Sequence, residues 1–366
     1  MARRTPDTPL ISVVMPVYNA APYIAAAISS ILGQTYARWE FIIVDGNSTD
    51  GSADIIRAFA AQDARIRPVF LPHCNQAHAL NVAVAQVQGD LVAHMEADNI
   101  SLPERFAVQL DWMRKTGADI CGSNAKNFGG SDRILWFPET HQAILSEMLF
   151  YCAFFQTTVM MRADIIKAQL YDEATVFLDY EMWTRLALGY RMGNVQQILV
   201  KYRRHPQQVS VVKSAQMAEE RRRFGRRFFS ALFPQATAAD CAAFALVVEK
   251  KPLPSLADLQ RAGTWLARLA QADDRFVRNR MAGRWLAACQ RSAPLGLGCH
   301  RLYRQIAPQF GVNTDRGALP LWLLCALRIR PDSRLYAALA AIKRRVSRWR
   351  GGARRTGRML GLDAEN

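Results

Sequence analysis

Residues 11–50 read ISVVMPVYNAAPYIAAAISSILGQTYARWEFIIVDGNSTD, and the alternation inside this stretch decides the fold. Residues 11–15 are a short, β-branched apolar run of strand type, stopped by Pro16, Tyr18 and Asn19. A helix follows, with Tyr23, Ala27 and Ile31 on one stripe and Ile24, Ile28 and Leu32 beside it. Residues 39–44 are again apolar almost without break, as a parallel strand covered on both faces has to be. They end in the turn-rich DGNSTD of residues 45–50. The pattern then repeats: a helix carrying Ile55, Ile56 and Phe59, a strand over 66–70, a helix over 77–87 aligning Leu80, Val84 and Val87, and a fourth strand opening at Leu91. Strands alternating with helices of this length specify an α/β chain, an open and mostly parallel sheet flanked by helices.

The end of the fourth strand is chemically the richest point. Residues 91–105, LVAHMEADNISLPER, carry an apolar run into Glu96 and Asp98. Open α/β sheets bind their ligands just beyond the carboxyl ends of strands, and a hard divalent cation is the natural occupant of an acidic corner there. Ser101 and Glu104 have capping-box spacing, which predicts a helix opening at that point with Pro103 in its first turn. The strand ends offer no glycine cradle: neither GxGxxG after the first strand nor GxxxxGK[ST] anywhere is present. That excludes the common dinucleotide and P-loop enzymes. Asp45 and the Glu96/Asp98 pair would meet a polyanionic substrate only through a bridging metal.

Length and charge set the frame. At 366 residues the chain exceeds one hydrophobic core, and half of it is apolar. The net charge of +16 is lopsided: residues 1–215 hold 19 Lys+Arg against 20 Asp+Glu, whereas residues 216–366 hold 28 against 11. The expected organisation is a disordered stretch at 1–9, an α/β domain over 10–215, a helical region over 216–342 and a basic tail over 343–366. Seven scattered cysteines without CxxC spacing support neither a disulfide framework nor a zinc site and suit a reducing cytosol. The N-terminal apolar stretch lacks the length and cleavage site of a signal peptide, and no run reaches the ~20 apolar residues that span a bilayer.

Three ordered blocks carry a family resemblance. SVVMPVYNAAPYIAAAISSILGQTYARWEFIIVDGNSTDGS resembles the opening of family 2 glycosyltransferases, with their P-x-Y-N turn and V-D-x-x-S-T-D segment. ALNVAVAQVQGDLVAHMEADNISLPERF is similar to that family's second block, which bears a D-x-D type metal site. FLDYEMWTRLALGYRMGNVQQILVKYRRHPQQVS resembles the third, an acidic base before a Trp-bearing helix and a Y-R-x-H segment. The resemblance implies a GT-A fold that inverts configuration while moving a sugar from a nucleotide donor, a UDP-sugar by expectation, with Mn²⁺ or Mg²⁺ as cofactor. By that match Asp45 would bond the nucleobase, and Pro16, Tyr18 and Asn19 would form the turn beneath base and ribose. Asp98 is the implied metal ligand, with Glu96 facing ribose and metal. Asp179 is the implied general base, with Glu181 the alternative. His78, Arg203 and His205 would reach the donor phosphates or the metal region. Five positions depart from the family pattern: Gly46-Asn47 stands for Asp-Gly, Glu96 for Asp, Asn99 for an acid, and Leu178 for Glu. Trp183, at helical spacing with Leu186 and Ala187, reads as core.

From about residue 215 the βα rhythm gives way to helices. KRRVSRWRGGARRTGR (343–358) carries eight basic residues and no acid, which predicts attachment to an anionic membrane surface. Nucleic acid is the rival partner for such charge, but no RNA or DNA module is present and the acidic strand ends would repel a phosphate backbone. The expected acceptor is a glycan or lipid-linked saccharide, and the expected place is the cytoplasm, peripheral on the inner face of the plasma membrane. The contrasting reading is a catalytically silent sugar-nucleotide-binding or scaffold protein held by its basic helices.

Overall fold

β1 (Ile11–Val17), α1 (Ala21–Leu32), β2 (Trp39–Asp45), α2 (Ser52–Ala60), β3 (Ile66–Phe70), α3 (Gln76–Ala85) and β4 (Leu91–His94) follow one another as the apolar runs dictate. They come from a computed structural model that describes residues 8–272, 274–330 and 333–336. β2 is buried along its whole length and pairs in parallel with both β1 and β3, so its unbroken apolar run has water on neither face. α1 lays Ile24, Ala27, Ile28 and Ile31 on this sheet, and each large aliphatic so buried contributes about 1.5–3 kcal/mol. Asn75 caps α3 by accepting from the His78 N–H.

The capping box expected at Ser101 and Glu104 does not form. β5 (Ile100–Ser101) is instead a short strand, and α4 (Arg105–Thr116) begins later with Glu104 as an uncapped N-cap residue. Ser101 is engaged elsewhere: its hydroxyl accepts from Gln34 Nε2, and its N–H donates to the Ser30 hydroxyl. Long-range partners on α1 and its C-terminal turn thus override a local helix signal.

The chain continues through β6 (Ile120–Phe128), β7 (Ile134–Leu135), α5 (His141–Met148), β8 (Met160–Arg162), α6 (Ala163–Ala168), α7 (Leu178–Leu186), β9 (Met192–Arg203), α8 (Val209–Val212) and α9 (Ser214–Leu232). Among the described residues nine strands form one sheet in the order β3-β2-β1-β4-β8-β6-β9-β5, with β7 on β6. The block β3 to β4 is parallel, β8 runs antiparallel between β4 and β6, and β9 returns parallel to β6. Two glycines allow close packing, Gly122 of β6 against β9 and Gly193 of β9 against α4. A Cβ on Gly122 would lie 2.1 Å from Asn194 Oδ1, and one on Gly193 2.1 Å from the Trp112 ring.

The described chain divides into two compact units, the first ending at Ala236 and the second starting at Thr237. The first therefore runs past the compositional break near residue 215 and includes α9. Glu220 of α9 is buried and accepts from the Thr175 hydroxyl and the Val176 and Phe177 N–H groups, tying α9 to the turn before α7. The second unit is helical: α10 (Ala238–Val248), α11 (Leu256–Leu269), α12 (Arg275–Arg291), α13 (Leu297–Ile306) and α14 (Asp315–Ala326). Trp265, Leu269 and Trp285 are buried within it, and Gly263 sits where a Cβ would strike Trp285 and Ile306. Most of the N-terminal stretch 1–9 and the whole basic tail 343–366 lie outside the described residues. No helix among the described residues is long and apolar enough to cross a membrane.

Candidate active site

The loops after β1 and β2 are laced together by side chains that favour turns. Asn19 adopts a left-handed φ of 49°, which asparagine tolerates better than most residues. Its Oδ1 accepts from the Thr49 N–H at 2.9 Å, and its own N–H donates to the Ser48 hydroxyl at 2.9 Å. Asp50 accepts from the Ala21 N–H and from both the N–H and hydroxyl of Ser52. Asp45, buried at the tip of β2, accepts from the Ser48 N–H and hydroxyl. Pro16 lies within β1, and Tyr18 stands exposed with its ring edge-on to His73 at 5.1 Å. His78, on the first turn of α3, is half-exposed and pairs through Nδ1 with Glu173 at 3.1 Å.

The acidic corner follows β4. Glu96 Oε2 accepts from Asn99 Nδ2 and from the Thr157 hydroxyl, both at 2.8 Å. Asp98 Oδ2 meets His205 Nε2 at 3.1 Å, whereas Asp98 Oδ1 and His205 Nδ1 are buried without a hydrogen-bond partner. Gln208 Nε2 lies 3.5 Å from the same Oδ2 and donates to the Arg203 carbonyl at 2.7 Å. Arg203 stands behind the corner. Its Nε donates to the Asp98 carbonyl and its N–H to Asn99 Oδ1, while the guanidinium lies between the Tyr23 and Phe128 rings at 4.7 and 4.4 Å. Burial, and then the charge of Asp98, push the Glu96 carboxyl well above the ordinary carboxylate range, and Asp179 adds to the rise.

Asp179 occupies the first turn of α7, where the positive end of a helix favours a carboxylate. Its Oδ1 accepts from the Tyr180 N–H at 2.8 Å, and Cys152 Sγ lies 3.9 Å from Oδ2. The residue keeps a solvent-facing edge, yet enough protein surrounds it that burial pushes its carboxyl up to about 6. Glu181, two residues on, is 3% exposed and bound to two guanidinium groups, Arg227 at 2.7 Å and Arg185 at 3.1 Å. Trp183 is fully buried against Phe154, a core residue as its spacing suggests.

The structure therefore brings Glu96, Asp98, Arg203 and His205 together, and sets Asp179 close enough for Glu96 to feel its charge. Tyr18, Asn19 and Asp45 form a separate lip around the ends of β1 and β2, with His78 on α3. Four site neighbours escaped motif reading: Asn99 as a clamp on Glu96, Thr157 beside it, Cys152 near Asp179, and Gln208 on Asp98. Only Asn99 left a trace, as an amide where the family pattern has an acid. Thr157 lies in a single 3-10 turn (Gln156–Thr158) and Cys152 on the irregular stretch before it, neither long enough to show a periodicity.

Comparison with known proteins gives a consistent result. The model of glycosyl transferase family 2 matches residues 12–168. The chain is 30% identical over 203 residues to TuaG of Bacillus subtilis, named for teichuronic acid biosynthesis, covering 53% of this chain and 79% of that one. It is 28% identical over 204 residues to the O-antigen biosynthesis glycosyltransferase WbnJ of Escherichia coli, covering 54% and 80%. Among solved structures, TarS of S. aureus aligns with a TM-score of 0.53 at 15% identity, over 81% of this chain and 55% of that chain, a likeness of fold.

Proposed function

This chain belongs to glycosyl transferase family 2, and we propose that it moves a sugar, with inversion, from a nucleoside-diphosphate donor to a hydroxyl of a glycan or lipid-linked acceptor in cell-envelope or exopolysaccharide synthesis. The observation that carries the reading is the acidic corner after β4. Asp98 meets His205 at 3.1 Å and keeps a buried oxygen without a partner, beside Glu96, whose carboxyl is raised first by burial and then by the charges of Asp98 and Asp179. Structural proteins seldom crowd like charges at strand ends without a cation or a reaction to use them. The names of the teichuronic acid and O-antigen relatives support a polysaccharide product.

The donor set suits a divalent ion, Mn²⁺ or Mg²⁺. Asp98 has a buried oxygen without a partner and His205 beside its other oxygen. No cluster of three or more His, Cys, Asp or Glu fit to hold a metal is found among the described residues. On the proposed reading, one or two protein carboxylates would share the ion with substrate phosphates. Asp98 would hold it, with Glu96 alongside, and when bound it neutralises charge developing on the diphosphate leaving group.

The remaining work belongs to side chains. Asp179 accepts the proton of the attacking hydroxyl; a carboxyl raised to about 6 is a stronger base than a free one, yet ionised at neutral pH. Glu181, held by Arg185 and Arg227, has little freedom to do so. Asp45 and the Pro16–Tyr18–Asn19 turn receive the nucleobase and ribose, a UDP-sugar being the expected donor. His78 and Arg203 lie on the donor side, Arg203 by positioning Asp98.

Turnover of UDP- and GDP-sugars with Mn²⁺, comparing the wild type with Asp98→Ala, tests the reading. Asp98→Ala should weaken Mn²⁺ dependence and lower turnover about 100-fold or more. If no donor is turned over and the substitution leaves nucleotide binding untouched, the silent-scaffold reading replaces this one.

A further inference from the structure

α14 presents apolar side chains on opposite sides. Leu321, Leu324 and Cys325 are buried in the second unit, whereas Trp322, Leu323 and Leu327 stand 43%, 45% and 64% exposed. Positions 322, 323, 326 and 327 recur at one-turn spacing, so these side chains and Ala326 share a stripe. Leu335, beyond the helix, is exposed as well. A helix apolar all round belongs in a core or against a membrane, not facing water.

The charge around the stripe is one-sided. Arg328, Arg330 and Arg334 are exposed, and residues 321–358 contain eleven Lys+Arg against the single acid Asp332. Three occupants can cover such a face: the chain beyond residue 336, a second copy, or a lipid surface. The first two bring further positive charge, since residues 343–358 hold eight basic residues and no acid, and a second copy would oppose arginine to arginine. An anionic surface offers apolar depth and opposite charge together, and a tryptophan beside leucines and arginines is the usual make-up of an interfacial helix.

We propose that the Trp322–Leu323–Leu327 stripe docks the protein in the plane of an anionic lipid surface, with Arg328, Arg330 and Arg334 meeting the headgroups. The docking is peripheral, since no helix among the described residues can span a bilayer. It places the enzyme beside lipid-bound acceptors without requiring them, and it stands independently of the donor chemistry.

Flotation of the full chain with phosphatidylcholine vesicles, with and without phosphatidylglycerol, tests the proposal. The wild type should float only with phosphatidylglycerol, and part of that binding should survive high salt, because apolar insertion is not screened. The double variant Trp322→Ser/Leu327→Ser should lose about tenfold in partitioning while its melting curve and donor turnover match the wild type. Arg328→Glu/Arg330→Glu, a second route to the same face, should lose binding most strongly at low salt. Wild-type failure to float overturns the proposal, and so does a serine variant that floats unchanged. A variant that melts earlier without losing flotation assigns the face to residues 337–366; one that turns a dimer into a monomer without losing flotation assigns it to a second copy. Either result overturns the lipid assignment.

Discussion

β1 to β4 bury Ile11, Val13, Phe41, Ile43 and Leu91, whereas β6 and β9 bury Ser123, Asn124, Asn127 and Asn194 in the same sheet. The first half pairs in unbroken parallel register. The second half shifts register between Ser123 and Ala125 and is held by side chains, with Asn194 Nδ2 donating to the Pro138 and Ala153 carbonyls. The first half is specified mostly by apolar burial, with a buried polar link in which the Ser12 hydroxyl donates to Glu40 at 2.6 Å. The strand pair that buries amides depends on side-chain geometry, and its amides are only partly satisfied: Asn127 Oδ1 and Asn194 Oδ1 are buried without a hydrogen-bond partner. The lip of Tyr18, Asn19 and Asp45 hangs from the first half, and Asp98 meets His205 just beyond the end of β9 in the second.

The sharpest test of that contrast lies at the carboxylates. Asp179→Asn should lower kcat about 10²–10⁴-fold with donor KM little changed. It should also stabilise the fold at pH 7 by about 1–3 kcal/mol. The sign follows from a carboxyl that rises from 3.8 to about 6 on folding. The folded state binds that proton more tightly, so its stabilising contribution is full below about pH 4 and lost as pH climbs through about 6. In the wild type, kcat/KM should correspondingly fall as pH drops below about 6. Thermal melts and rate profiles between pH 5 and 8 read both effects, and an asparagine variant that is active and no more stable removes Asp179 from the site.

Glycine exchanges compare the two halves directly. Gly122→Ala puts a methyl 2.1 Å from Asn194 Oδ1 and 2.8 Å from Phe154, so denaturant melts should show a loss of about 1–3 kcal/mol or more. Gly33→Ala, after α1, meets nothing nearer than 3.5 Å at a φ of −79°, and should be neutral or gain about 0.4–1 kcal/mol. Equal losses at both positions would erase the distinction.

Glu181→Gln leaves Arg185 and Arg227 without their countercharge. It should destabilise by about 1–3 kcal/mol while kcat of the folded enzyme stays near the wild-type value. A collapse of kcat matching that of Asp179→Asn would move the base to Glu181. The smallest effect is expected at His78→Ala, where a half-exposed pair with Glu173 is worth about 0–1 kcal/mol. A rise in donor KM there, without a change in kcat, would give His78 a phosphate contact as well.

The positions of the first four strands, and of the acids at their ends, were legible because burial of a βα unit is a local property that repeats along the chain. Trp183 was legible as core for the same reason: its helical spacing already named the face it buries. Local signals failed where a distant partner intervened. Ser101 reads as a helix cap, and Gln34 and Ser30 draw it into a strand instead. The family resemblance puts Asp179 ahead of Glu181 as base, and no local signal shows that Glu181 is held by Arg227, 46 residues away.

The sequence by itself determined an α/β chain with acids at the ends of its second and fourth strands and a strongly basic C-terminal part. Tertiary structure alone decided that Asp98 meets His205 across 107 residues, that Asn99 and Thr157 clamp Glu96, and that one side of α14 faces outward. The reason is physical. Periodicity records whether a side chain is buried, whereas a site depends on which buried side chains share a corner, and that is settled only when distant segments close on one another.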